Sequence, residues 1–399
     1  MILEIILALI IGIIIGTLTG LAPGIHINLV AAITLSSLPL LAFISPLSLA
    51  IFITAVAITH TCVDFIPSIY LGAPEEDTYL VVLPGHELLK QGRAHEAVLL
   101  AMFGIIIGFV LSILFIAFFV YISPLIQKAL VKIVAFVLIL ISSFMILREE
   151  KWKIALLVFL MAGFLGYASL NLPIKEPLLP LLTGLFGASS LLLSIKSKTK
   201  IPSQKINKIK EMKIPKKETW NAFLGTLITL PIFSILPALG SGYAALTASE
   251  ILNQTRKGFL ILSGAINTSI MISSFILVYS IGKSRTGAAA AINNILPSPS
   301  FQNSLSLLSC LIVATMIAVV ITIYISKRSA SLISKINYNL LSKLVILVML
   351  SVTLIISNWQ GILVLITSAS LGVFAITSNI KRTHLMASLI VPTIIYYLT

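Results

Sequence analysis

Three stretches of this 399-residue chain bring together residue types able to hold a charged ligand. The first, GTLTGLAPGIHIN at 16–28, has Gly20, Pro23 and Gly24 placed to stop one helix and start another, since Pro is tolerated at a first helical turn but breaks a helix interior. An opened backbone of this kind turns N–H groups and the positive end of a helix dipole toward an anion. His26 and Asn28 add side-chain donors, so Pro23, Gly24, His26 and Asn28 are candidate ligands for a substrate. The second stretch, LPIFSILPALGSGYAALTAS at 230–249, offers bare backbone and a hydroxyl at Gly240, Ser241 and Gly242, behind Pro231 and Pro237. The third, SSFILVYSIGKSRTGAAAAINN, sets Lys283, Ser284 and Arg285 between apolar segments. Arg presents a planar fork that matches carboxylate or phosphate. The chain has no Asp or Glu after Glu250, so these bases either pair across the molecule or serve a bound anion. A plain kinked helix and a basic pair at the lipid headgroups are the structural alternatives.

Asp64 and His60 lie in a largely apolar stretch, THTCVD. A carboxylate at membrane depth is costly and is kept for a purpose, which makes both residues candidates for coupling to a cation, Na⁺ or H⁺. Glu75, Glu76 and Asp77 are either a solvated turn or partners for a base elsewhere in the chain. Two enzyme readings fail on spacing. HELLK at 86–90 has Lys where a HExxH zinc motif needs its second His, so no metal site is expected. Ser241 has Leu239 two positions ahead of it rather than the glycine of a rhomboid-type serine site. No cofactor is implied, and Cys62 and Cys310, inside apolar runs, form no disulfide framework.

The elements that must carry these residues are membrane helices. The chain is 58% apolar and only 10% charged, against about 25% charged for a soluble domain. A soluble enzyme, a disordered chain and a nucleic-acid-binding domain are thereby excluded. The net charge of +14 sits in short gaps between apolar runs, which points to lipid headgroups as the partner. Runs long enough to cross a hydrocarbon core about 30 Å thick cover 97–122, 126–147, 153–171, 177–195, 304–326, 343–357, 361–378 and 384–398. The regions 1–85 and 219–297 are apolar but interrupted, as expected of broken or re-entrant helices. The first residues lack the basic leader of a secretory signal and read as a retained span. Nine lysines between 196 and 218 mark that linker as cytoplasmic. The gaps at 86–96, 148–153, 327–343 and 379–383 then fall on the same side.

The sequence also repeats itself. LGYASLNLPIK (165–175) aligns with LGVFAITSNIK (371–381), GTL at 16–18 with GTL at 225–227, and AITHT (57–61) with AINTS (265–269), all at offsets between 206 and 209. Corresponding loops carry opposite charge bias: basic 148–153 stands over uncharged 357–361, and 327–343 over the sparse gap near 123–127. The fold expected is therefore an all-α integral membrane protein of two inverted-topology repeats, 1–195 and 219–399, joined by the linker 196–218. Broken helices from the two repeats would meet near the midplane, as in secondary transporters, and both termini would lie outside.

GTLTGLAPGI, SIYLGAPEEDTYLVVLPGHELLKQGRAHEAV and YSIGKSRTGAAAAI resemble the large permease subunit of the tripartite tricarboxylate transporters. Pro23-Gly24 matches that family's early PG element, Gly85 to Ala97 its glycine/alanine segment, and Gly282 to Gly287 its G-x-S-R-x-G element. The resemblance implies a permease moving a small organic anion of the di- or tricarboxylate class on an ion gradient. It also implies a small membrane subunit and an extracytoplasmic binding protein as partners, and a homo-oligomer is a further candidate assembly. Glu75-Glu76-Asp77 stands where the family has small and hydroxyl residues, which would disfavour a tricarboxylate at that spot. The competing readings are a translocase for a polyprenyl-phosphate lipid carrier and a membrane scaffold that recruits partners through its lysine linker.

Overall fold

The computed structural model describes residues 2–22, 27–72, 78, 81–196, 201–206, 214, 216–235, 240–282, 284, 286–297, 299–334 and 337–399. Among these every regular element is a helix. In chain order they are α1 (Ile2–Leu21), α2 (Ile27–Ser36), α3 (Pro46–Val63), α4 (Phe65–Tyr70), α5 (Val82–Lys90), α6 (Ala94–Leu114), α7 (Ser123–Leu147), α8 (Trp152–Leu170), α9 (Leu178–Leu182) and α10 (Ser189–Lys196). Then come α11 (Lys216–Phe233), α12 (Ser241–Ile251), α13 (Arg256–Ile281), α14 (Gly287–Ile295), α15 (Phe301–Ile333), α16 (Tyr338–Thr377) and α17 (Ala387–Leu398). Among the described residues eight stretches are long and apolar enough to cross a membrane, including α1, α3 with α4, α6, α8, α13, α15 and α16. Their outward faces present side chains such as Ile10, Leu160, Phe164, Leu354 and Leu363, as lipid contact requires.

α16 has 40 residues and as one rod would measure about 60 Å, twice the hydrocarbon thickness. It is broken at Asn358, whose backbone turns to φ 58° and ψ −167°. Met349 before the break and Ala369 after it join one apolar cluster with Ala188 and Leu191, so the two arms fold back on each other. The gap expected at 357–361 is this turn, and the Ser357 hydroxyl there donates to the Glu176 carbonyl (3.2 Å).

Helix directions follow from glycine contacts. Along α1, Gly12, Gly16 and Gly20 face Ala55, Thr59 and Val63 of α3, where an added Cβ would lie within 2.9 Å of the partner. The two helices therefore run parallel at small-residue separation, and α2 is the short return between them. Gly104 and Gly108 of α6 press on the Ile261 and Ala265 carbonyls of α13, so these also run parallel. α11 runs alongside α13, with Glu218 accepting from the Thr255 hydroxyl at their start and Ser234 accepting from Ser273 farther on (2.7 Å). α15 runs with α3 and α4: Thr54 lines a cavity with Leu308, and Tyr70 donates to the Ser326 carbonyl (2.9 Å).

The basic loops gather at one end. His95 bonds Ser326 (2.9 Å), Lys257 pairs with Glu96 (3.0 Å) and Arg256 with Glu87 (2.5 Å). Arg148 pairs with Glu250 (2.9 Å), Lys381 with Glu250 (3.4 Å) and Glu149 (3.7 Å), and Lys151 donates to the Ser378 carbonyl (3.2 Å). Gln204 of the linker caps α6 by accepting from Ala94 N (3.0 Å) and donates to the Leu89 carbonyl (3.0 Å); this part of the linker is docked rather than merely solvated. At the opposite end Glu4 accepts from Ser45 N (2.6 Å), the N-cap of α3.

The interruptions expected across 219–297 fall between helices, and α13 itself is continuous over 26 residues. Its Ser269 hydroxyl returns to the Ala265 carbonyl (2.7 Å) and its Ser273 hydroxyl reaches Ser234 of the chain after α11 (2.7 Å). Hydroxyls bonded to their own helix or to a neighbouring one need no break in it.

Candidate functional site

The interrupted stretches fold into half-length helices. α2 has 10 residues and α14 has 9, roughly 15 Å each and half a membrane crossing. They come from opposite halves of the chain and share a core in which Ile27 and Ala31 pack with Ala288, Ala291 and Ile292. Their N-terminal ends touch: Gly287 N donates to Asn28 Oδ1 (2.9 Å). Thr286 caps α14 by accepting from Ala289 N (3.2 Å) and hydrogen-bonds Ser274 (3.1 Å), a residue still inside α13. After α13 ends, the chain thus turns back into the bundle before α14 begins.

The other half has the same device. Asp64 is 4% exposed and stands between α3 and α4. Thr78, beyond the end of α4, reaches back to donate to Asp64 Oδ2 (2.6 Å) and bonds Ser68 (2.7 Å), whose own hydroxyl lies 3.5 Å from Asp64 Oδ1. The Thr78 hydroxyl thus gives this buried carboxyl group the hydrogen bond that burial makes necessary. His60 is buried one turn earlier, its Nδ1 3.1 Å from the Thr19 hydroxyl of α1. That hydroxyl gives its proton to the Ile15 carbonyl (2.9 Å), which leaves the histidine ring as donor.

Gly240 is the N-cap of α12, and its carbonyl accepts from Tyr243 N (3.1 Å). Ser241 and Gly242 follow, both buried. Ser284 is exposed. Pro23, Gly24, His26, Lys283 and Arg285 lie outside the described residues, as do Glu75, Glu76 and Asp77. The structure therefore brings together Asn28 with the start of α14, and Asp64 with Thr78 and Ser68. Among the described residues no group of three His, Cys, Asp or Glu side chains could hold a metal ion.

Sequence reasoning missed Arg382. It reads there as one more loop base, yet it is buried, donates to the Phe186 carbonyl and lies over the Phe186 ring, 5.4 Å from its centre. That carbonyl belongs to a wide π-type turn, Thr183–Ala188, of the kind often found at functional positions. The TGLFG stretch and the alignment of 165–175 on 371–381, which sets Glu176 over Arg382, were the available signals. Burial first, then the charges of Lys90 and Arg382, pulls His86 on α5 down to about 4 against its hydrogen bond to the Ile69 backbone carbonyl. His384 is also held low by burial, with Glu149 opposing (3.3 Å).

Residues 6–387 match the tripartite tricarboxylate transporter TctA family. The chain belongs to that family: it is a component of a transporter and not an enzyme. It is 33% identical over 393 residues, 95% of each chain, to the uncharacterized protein MJ1079 of Methanocaldococcus jannaschii. No solved structure matches it.

Proposed function

We propose that this protein is a secondary-transport permease that carries a small organic anion, of the di- or tricarboxylate class, on a cation gradient. The observation that carries this reading is the meeting of α2 and α14 through their N-terminal ends at Asn28 and Gly287. Two positive dipole ends repel each other unless negative charge lies near them, and an anionic cargo would supply it. Lys283 and Arg285 in the chain just ahead of α14, and Pro23, Gly24 and His26 just ahead of α2, are the proposed ligands. Gly240, Ser241 and Gly242 at the start of α12, with Ser284, complete the set. Asp64, with His60 beside it, is proposed to take the coupling Na⁺ or H⁺.

The carrier consists, in this reading, of two inverted repeats, 1–195 and 219–399, around the linker 196–218. Opposite directions of corresponding helices support it: α3 runs toward the basic end, whereas α13 starts there. So do Thr78 and Thr286, both turning back onto the preceding helix at an offset of 208. Glu4 with the cap of α3 and Glu218 with the cap of α13 form a second matched pair. The basic end is taken as cytoplasmic, which puts the start of α1 outside. Family membership supports a small membrane subunit and an extracytoplasmic binding protein as partners.

Proteoliposome uptake of labelled citrate and succinate tests the reading. Uptake is expected to need an imposed Na⁺ or H⁺ gradient and to fall at least tenfold in Arg285→Ala, roughly the loss of one charged contact. Uptake equal in the variant and the parent protein would remove the anion role, and a copurified lipid-linked phosphate that citrate fails to displace would favour a lipid-carrier translocase instead.

A further inference from the structure

We infer that Asn28 is a positioning residue that locks the two half-helices into one unit. The inference rests on the transport reading above and assigns Asn28 a task other than donating to the substrate. Its side-chain oxygen is already used, since it accepts from the N–H of Gly287, the first residue of α14 (2.9 Å). The first N–H groups of a helix have no partner within it, and this one is satisfied from the opposite half of the chain. The neighbouring Ala289 N–H goes to Thr286, and Thr286 is held in turn by Ser274. The start of α14 is therefore fixed from both halves at once.

Space supports the same conclusion. A Cβ on Gly287 would fall 2.6 Å from Asn28 Oδ1 and 3.0 Å from Asn28 Cβ. Only glycine lets the backbone approach this closely. Behind the contact the helices present mostly alanine and isoleucine, with Ala31 against Ala288 and Ala291, which permits tight packing but gives no directional hold. The single directional link described between α2 and α14 is Asn28 to Gly287. Lys283 and Arg285 precede Gly287 by four and two residues, and His26 precedes Asn28 by two. A slip of 1 Å at this joint would misplace groups on both sides, and misplacement on that scale is enough to cost binding or rate.

The test uses the full-length protein in proteoliposomes, with citrate as probe. Asn28→Ala and Gly287→Ala are each expected to raise the apparent KM for citrate about tenfold with a smaller change in maximal rate. The double variant is expected to be no worse than the worse single one, because both break one contact. Amide hydrogen exchange without citrate should speed up at 287–289 in Asn28→Ala and stay slow in Asn28→Asp, which keeps the acceptor oxygen. Unchanged exchange in Asn28→Ala would overturn the joint, as would additive effects on KM, or a fall in Tm with KM unaltered. A parent protein that takes up no carboxylate would defeat the transport reading while leaving the exchange result to judge the joint.

Discussion

At the residue scale, two buried polar groups are held differently, Asp64 by a hydroxyl and Arg382 by a carbonyl and an aromatic ring. Asp64 takes a hydrogen bond from Thr78, so replacing it with Asn keeps the shape and removes the charge. Asp64→Asn is expected to cut gradient-driven uptake about tenfold or more, while equilibrium exchange of labelled for unlabelled citrate falls less. Equal losses in the two assays would place Asp64 outside the coupling step. His86 supplies a pH prediction. Its folded value of about 4 lies below the ordinary 6.5, so the neutral ring contributes stability that is full above pH 6.5 and is lost as the pH falls toward 4. The drop in Tm between pH 6.5 and 4 should be shallower in His86→Gln than in the parent protein. Asp64 and Asn28 were legible in the sequence because a lone carboxylate in an apolar run and an amide after a Pro-Gly break are conspicuous. Arg382 was not: its neighbours in the chain are those of an exposed loop, and only the fold buries it against Phe186.

At the element scale, glycine separates two costs. Gly108 is helical, but an added Cβ would strike the Ala265 carbonyl of α13. Gly282 has open space around it, with φ at +63° closing α13. Gly108→Ala is expected to cost about 1–3 kcal/mol through overpacking and Gly282→Ala about 1 kcal/mol through the left-handed backbone alone. Thermal unfolding in detergent should rank them in that order, and the reverse order would mean that α6 and α13 are looser than their contacts imply. Pro and Gly announced the breaks ahead of α2 and α12, because both residues act on the local backbone, whereas the third stretch was readable for its bases and its half-helix α14 needed the fold. The exact breaks within 219–297 were not readable: AINTSIMISS stays helical, with Ser269 bonded back to Ala265 and Ser274 reaching Thr286. The fold-back of α16 was read correctly as a gap near 357–361, although its cause is one residue, Asn358, in a left-handed conformation.

At the scale of the whole molecule, charge organises one end and apolar contact the membrane belt. Lys151 stands with the basic loops and is exposed, while Trp359, 66% exposed, follows the Asn358 turn beside Glu176 at the other end. Cysteines placed singly at 151 and 359 should label with an impermeant thiol reagent from opposite faces of sealed vesicles, 151 from the cytoplasmic one. Labelling of both from one face would refute the assignment of sides. The grouping of the basic loops was readable from lysine and arginine alone, whereas the pairs that knit them, Arg148 with Glu250 and Lys257 with Glu96, join residues more than a hundred positions apart and needed the fold. The claim that all of this serves is an anion seated where α2 and α14 meet, and Ser284, exposed in the chain just ahead of α14, is a reporter for it. Cys62 and Cys310 are buried, so a Ser284→Cys variant gives one reactive thiol against a quiet background. Citrate, or whichever carboxylate the protein takes up, should slow labelling of that thiol in proportion to its occupancy. A transported carboxylate that leaves the labelling rate unchanged at saturating concentration would contradict the account.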